Sequence, residues 1–199
     1  MPHDAELWHE FKGGNKWALS CIYRKYIRIL YNYGTRLSPD DGLIEDCIQD
    51  LFIDLWKNRE GLSDTDSIKY YLFRSLRRRI ARKANKKLSQ NTQLGELPEE
   101  YDRETSHSAE TELIRQQTLQ SRQEHLQVAL NRLSERQREA VFLRYYADMS
   151  PQEIAEIMSL NYQSACNLLH RALTALKQHI IYTVLLWLSL GACTALVLN

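Results

Sequence analysis

The sequence predicts an all-α protein: two small helical domains joined by a flexible acidic linker, with a helix-turn-helix in the second and an apolar C-terminal helix after it. Three observations lead there. Apolar residues recur at spacings of three and four through most of the chain, and few stretches alternate as a half-buried strand would. Among 199 residues, 44% are hydrophobic while Gly 7 and Pro 4 are few, which leaves enough for real cores and too little for a loop-rich chain. The periodicity fails over one central piece, LSQNTQLGELPEEYDRETSHS (88–108), which holds Pro98 and five acids against one base and so reads as a tether. The expected division is a first domain over 1–87, a linker over 88–109, a second domain over 110–179 and a tail over 180–199.

Each element has its own local reasons. Leu7 to Phe11 opens a short helix that Gly13-Gly14 stops. An aromatic, Arg-rich helix follows from Lys16 to Leu37, ended by Ser38-Pro39-Asp40-Asp41-Gly42. The third spans about Leu43 to Asn58, with Ile44, Ile48, Leu51 and Leu55 on one side and Asp46, Gln49, Asp50 and Ile53 on the other. After a turn around Gly61 to Asp66, a helix from Ser67 to about Lys87 turns Ile68, Leu72, Leu76 and Ile80 inward. Helical pattern resumes near Glu110.

The formal net charge of +1 conceals a strong internal polarity. Asp40 to Asp66 carries nine acids against two bases, and Ile68 to Lys87 carries nine bases and no acid. A near-neutral total therefore leaves nucleic acid open as a partner, because binding responds to local patches; solvated helix faces are the plainer alternative. Cys21, Cys47, Cys166 and Cys193 stand far apart with no C-x-x-C pair, which fits neither a zinc site nor a disulfide framework. Cys166 and His170, four apart on one helix, are two ligands without the rest of a set. No phosphate-cradling Gly loop and no nucleophile-base arrangement is present, so neither enzymatic chemistry nor a cofactor or metal is expected.

The segment SPQEIAEIMSLNYQSACNLLHRALTALK (150–177) holds two helix patterns three residues apart. Ser150 can cap the first, Pro151 fits its first turn, and Glu153 completes a capping box. Ile154, Ala155, Ile157 and Met158 supply its buried side. Ser159-Leu160-Asn161 makes the turn, with Asn161 either tolerating unusual backbone angles or capping the next helix. That helix has Ala165, Leu168, Leu169, Ala172 and Leu176 inside and Gln163, Asn167, His170, Arg171 and Thr174 outside. Ser134-Glu135-Arg136-Gln137 is a second capping-box pattern, opening a helix that would brace the pair. Two short helices across a tight turn read as a helix-turn-helix, whose outward amides, imidazole and guanidinium can bond base edges or phosphates. An ordinary αα-hairpin in a bundle is the alternative.

From these residues the chain resembles a known family. LSERQREAVFLRYYADMSPQEIAEIMSLNYQSACNLLHRAL (133–173) is similar to the fourth conserved region of sigma-70 family initiation factors, which reads promoter −35 DNA. IEDCIQDLFIDLWKNR (44–59) resembles the second region of the small extracytoplasmic-function sigma factors, and LWHEFKGGNKWALSCIYRKYIRILYNYGTRL (7–37) the helices before it. The resemblance implies core RNA polymerase and promoter DNA as partners, with an anti-sigma factor as a further one. Asp46, Gln49, Asp50 and Ile53 fall on the family's docking surface for the polymerase clamp helices. The loop from Gly61 to Ser67 falls where the family captures a flipped −10 base. Lys69, Tyr70, Tyr71, Arg74, Arg77, Arg78 and Arg82 fall on the segment that recognises and melts the −10 element, rings for stacking beside cations for phosphate. Phe73 is the ring there best suited to the core. Gln163, Ser164, Asn167, His170, Arg171, Thr174 and Lys177 fall on the −35 reader, and the acidic linker on the stretch that threads the polymerase channels.

The chain departs from the family in three places. Ala165-Cys166-Asn167 is uncharged where the family often has Arg or Lys, so phosphate contact leans on Arg171 and Lys177, with Arg132, Arg136, Arg138 and Arg144 as neighbours. Arg78 stands where the family has an Asn, which alters the expected −10 preference. Third, IIYTVLLWLSLGACTALVL (180–198) is 19 residues without a charge, about 28 Å long as a helix and close to a bilayer core. Arg171 and Lys177 ahead of it favour a cytoplasmic N-terminal side, while Thr183, Ser189, Gly191 and Thr194 weaken a membrane reading. Membrane association, packing on the protein's own domains and a protein interface are its three uses. The opening MPHDAELWHE lacks signal-peptide form, so the bulk is expected in the cytoplasm, tethered if the tail inserts. A stand-alone helix-turn-helix regulator and a membrane-anchored helical adaptor are the rival functions.

Overall fold

A computed structural model describes residues 4–91 and 128–178, and the ordered elements are all helical. Helix α1 (Asp4–Lys12) ends at Gly14, whose φ of 86° takes the left-handed turn that glycine adopts without strain. Helix α2 (Lys16–Leu37) follows at once, its N-cap Asn15 accepting from the Trp17 and Ala18 amides. Helix α3 (Asp41–Lys57) starts two residues before the expected Leu43, because Asp40 accepts from the Leu43 amide and caps it. A single 3-10 turn (Arg59–Gly61) leads into the loop before α4 (Ile68–Asn91). The Ser67 hydroxyl accepts from the Tyr70 amide at the start of α4, which runs four residues past the expected Lys87.

The second half begins with a helical turn over 128–131. Ser134 and Gln137 form the expected capping box of α5 (Glu135–Val141). The chain then widens into a π turn (Phe142–Tyr146) and leaves it through Asp148 at a φ of 51°. Helix α6 (Pro151–Ile157) has its Ser150–Glu153 capping box, with Pro151 in the first turn. The turn of the motif divides its two tasks: Ser159 takes the left-handed backbone at a φ of 56°, and Asn161 caps the helix over 162–178, α7, by accepting from the Ser164 amide at 2.7 Å.

Ile44, Ile48, Leu51 and Leu55 of α3 and Ile68, Leu72, Leu76 and Ile80 of α4 are buried as their spacing predicts, and Phe73 joins them. The two halves share this core, which runs on through Phe142, Leu143, Ile154 and Ile157. A smaller cluster of Ala129, Leu133, Ala172 and Leu176 ties α7 to the turn at 128–131. The linker from residue 92, the helical pattern from Glu110 to residue 127 and the apolar tail 180–198 lie outside the described residues. No helix among the described residues is long and apolar enough to cross a membrane.

Candidate nucleic-acid interface

Three surfaces carry the residues singled out by the sequence. On α7 the outward stripe is as expected: Gln163, Asn167, His170, Arg171, Thr174 and Lys177 are exposed and Ser164 is half-buried. The inner stripe of Ala165, Leu169, Ala172 and Leu176 is buried and Leu168 half-buried, which fixes the rotation of the helix. Gln163 donates to Asn167 at 3.2 Å, so two side-chain amides sit as a linked pair one turn apart. Thr174 donates back to the His170 carbonyl at 2.9 Å. Arg136, Ser164, Asn167 and Arg171 line a shallow hollow of about 300 Å³ together with Leu160 and Leu168. Arg136 thus sits beside the outer stripe, whereas Arg138 donates to the Asn131 carbonyl and Arg144 to the Met149 carbonyl.

On α3, Asp46, Gln49 and Ile53 are exposed and Asp50 half-buried. Gln49 and Ile53 border an apolar groove of about 990 Å³ between α2 and α3, whose other lining includes Tyr23, Ile27, Tyr31, Phe52 and Trp56. The α2 half of this groove was not anticipated. Tyr23 remains 45% exposed on its rim, edge-on to Phe52 at 5.0 Å between ring centres. The acidic stripe is partly answered by α4: Lys83 reaches Asp50 and Arg79 reaches Asp54, each at 2.8 Å. The hydrogen bond from Lys83 holds the Asp50 carboxyl below the usual carboxylate range.

The seven side chains expected at −10 DNA do not share one surface. Arg78 and Arg82 are exposed and Lys69 half-buried. Tyr71 lies against Trp8, ring centres 5.3 Å apart, and packs toward the core. Tyr70, Arg74 and Arg77 turn toward the second half of the chain. Tyr70 donates to Glu156, accepts from Arg74 at 2.9 Å, and Arg74 itself lies 3.9 Å from Glu156. Burial, then the bond to Glu156, raises the Tyr70 phenol; the same bond lowers the Glu156 carboxyl. Arg77 Nε donates to Glu139 at 2.7 Å. The loop before α4 is held by α1, since Trp8 Nε1 donates to the Ser63 carbonyl at 3.1 Å and Lys12 pairs with Asp64 at 2.6 Å.

Comparison with known proteins agrees in order and extent. The description "Sigma-70 region 2" matches residues 22–88 and "Sigma-70, region 4" matches residues 123–176. No curated protein sequence matches the chain. The fold is similar to that of the sigma factor RpoE from Bartonella quintana, solved with the anti-sigma factor NepR, at a TM-score of 0.60 and 21% identity over 79% of this chain and 93% of that one. It is similar also to CnrH, solved with the cytosolic domain of CnrY, at a TM-score of 0.58 and 16% identity over 91% of this chain and 99% of that one. The two family regions, in the same order and together covering more than half of the residues, settle the matter: the chain belongs to the sigma-70 family, with the two-region architecture of its extracytoplasmic-function type.

Proposed function

We propose that the protein is an initiation factor that binds core RNA polymerase through α2 and α3, opens and reads a −10 element with α4 and its preceding loop, and reads −35 DNA with α7. The observation that carries this reading is the groove between α2 and α3, bordered by Gln49 and Ile53 on the stripe that holds Asp46 and Asp50. The trough is apolar, with Glu45 on one wall and Arg28 and Lys57 also on its rim, and the exposed Asp46 stands outside it on the same helix. This suits a partner helix that lays an apolar face in the trough and a basic edge along α3. A regulator acting through α7 alone has no use for it. On the DNA side, the amide pair Gln163–Asn167 suits adenine edges and Arg171 with Arg136 suits phosphate. In region 2, Arg78 and Arg82 are already open to a backbone, and extruding a base requires a ring and cations to compensate the lost stacking.

The complex of RpoE with an anti-sigma factor leads us to assign this chain an anti-sigma partner as well. Such a factor works beside the polymerase, in the cytoplasm, and the apolar stretch 180–198 supplies a membrane contact if it inserts.

The deciding experiment is binding of the full-length protein to core polymerase, with Asp50→Arg beside it. Tight binding that the substitution abolishes supports the reading. A folded protein that ignores polymerase yet binds duplex DNA through α7 leaves the stand-alone regulator instead.

A further inference from the structure

Glu139 is the one buried charged residue among those described, with 4% of its surface exposed. It belongs to α5 of region 4, and both its partners belong to region 2. The Tyr33 hydroxyl on α2 and Arg77 Nε on α4 each donate to Glu139 Oε1 at 2.7 Å, and Arg77 Nη2 lies 3.5 Å from Oε2. Rings seal the site. Tyr33 stacks on Phe73, at 4.8 Å, and on Phe142, at 5.9 Å, and the Arg36 guanidinium lies 5.6 Å from the centre of the Phe142 ring. One helix along, Glu156 of α6 takes Tyr70 and Arg74.

A carboxylate out of water is tolerated only when its charge and lone pairs are answered. Glu139 finds that answer in region 2, so its burial belongs to the arrangement in which the regions touch. A carboxylate on an arginine also has the planar, paired-oxygen geometry of a phosphate. Both cations so engaged, Arg74 and Arg77, are ones the family resemblance places at −10 DNA, and Tyr70 is a half-buried ring of the same face.

We infer that region 4 is an intramolecular occupant of the −10 face: Glu139 and Glu156 stand in for DNA phosphates on α4, and the Glu139 contact sets the balance between a closed form that cannot take −10 DNA and an open form that can. This rests on the proposed role of α4. Nucleic acid, or polymerase holding the regions apart, then opens the protein by binding only the open form.

The test uses the full-length protein with a donor and an acceptor dye, one on α2 and one on α7, and a fluorescent AT-rich single-stranded DNA as probe. Glu139→Arg places like charges together and is expected to lengthen the dye separation. Adding Arg77→Glu reverses the pair and is expected to restore it, which a merely damaged fold would not do. For DNA, Glu139→Gln combined with Glu156→Gln is expected to tighten single-strand binding, by about tenfold if the open form rises from a tenth of molecules to nearly all. Adding Arg74→Ala should remove that gain. A folded Glu139→Arg protein with an unchanged dye separation overturns the contact as a latch. Opening with no gain in DNA binding overturns the occlusion of the −10 face. Neither result touches polymerase binding through α2 and α3, so loss of this inference and loss of the proposed function are told apart.

Discussion

Gly34 of α2 and Ile44 of α3 meet so closely that a Cβ built on the glycine would stand 2.4 Å from Ile44 Cγ2. The two helices that form the α2–α3 groove are therefore set by an absent side chain. Gly34→Ala should improve helix propensity by about 1 kcal/mol yet force a clash worth about 1–3 kcal/mol. The expected net result is a lower urea midpoint. An unchanged or higher midpoint would mean that α2 and α3 can slide apart freely.

The groove itself should respond to Tyr23 and Ile53, whose side chains are 45% and 42% exposed and so contribute little to folding. Tyr23→Ala and Ile53→Glu should each leave thermal unfolding within about 0.5 kcal/mol. Each should weaken core polymerase binding by about 2 kcal/mol, if these side chains anchor the partner. Equilibrium titration of labelled protein with polymerase reads both.

On α7 the stripe should separate into two behaviours. Arg171→Ala should weaken duplex binding for all sequences alike and reduce the salt slope by about 0.9, the value of one lost phosphate contact. Asn167→Ala should instead relax preference at one base pair, by about 1–3 kcal/mol. A binding series over selected sequences at several salt concentrations separates them; identical effects of the two substitutions would refute the division of roles.

Alkali should loosen the closed form. Burial, then the negative charge of Glu139, raises the Tyr33 phenol well above its ordinary value. Burial and the bond to Asp4 raise Tyr26 likewise. A raised folded-state value means that the protonated phenol is favoured by folding. Its contribution is fully present below the unfolded value of about 10 and is lost as pH rises from there toward the folded value. Urea midpoints should therefore fall between about pH 9.5 and 11, and less steeply in Tyr33→Phe. Equal slopes in the two proteins would deny Tyr33 this role.

The loop ahead of α4 is held from α1 by the Trp8 indole as well as by the Lys12–Asp64 pair. Trp8→Phe keeps the ring in contact with Phe11 and Tyr71 but removes the donor to the Ser63 carbonyl. Amide exchange over residues 62–67 should accelerate while that of α2 and α3 stays the same. Uniform acceleration would mean that the indole holds the whole domain.

What the sequence could disclose followed from locality. Both capping boxes, the Pro151 start and the inner and outer stripes of α7 are patterns within a few residues, and all appear in the fold. Glu139 was not legible. In ERQREAV it looks like one more charge on a wet helix, and its partners lie 106 and 62 residues away. The α2 side of the groove did leave a signal, because Tyr23, Ile27 and Tyr31 repeat every four residues beside the buried Ile22, Tyr26 and Leu30. Tyr71 was ambiguous in principle: a ring among cations serves stacking or core equally well until Trp8 is placed against it. Helix starts moved where a cap lay earlier than the first apolar residue, as Asp40 does for α3.

The 62 residues that separate Arg77 from Glu139 also impose an order in time. At about 5–20 residues per second, a ribosome finishes α4 several seconds before it makes the acid that covers it. During that interval a nascent region 2 is tethered to a ribosome with Arg74 and Arg77 not yet covered by Glu156 and Glu139, amid messenger and ribosomal RNA. The closed form is thus a late product of synthesis, and a chain cleaved within the linker would leave a region 2 whose Arg74 and Arg77 lack the acids that cover them here.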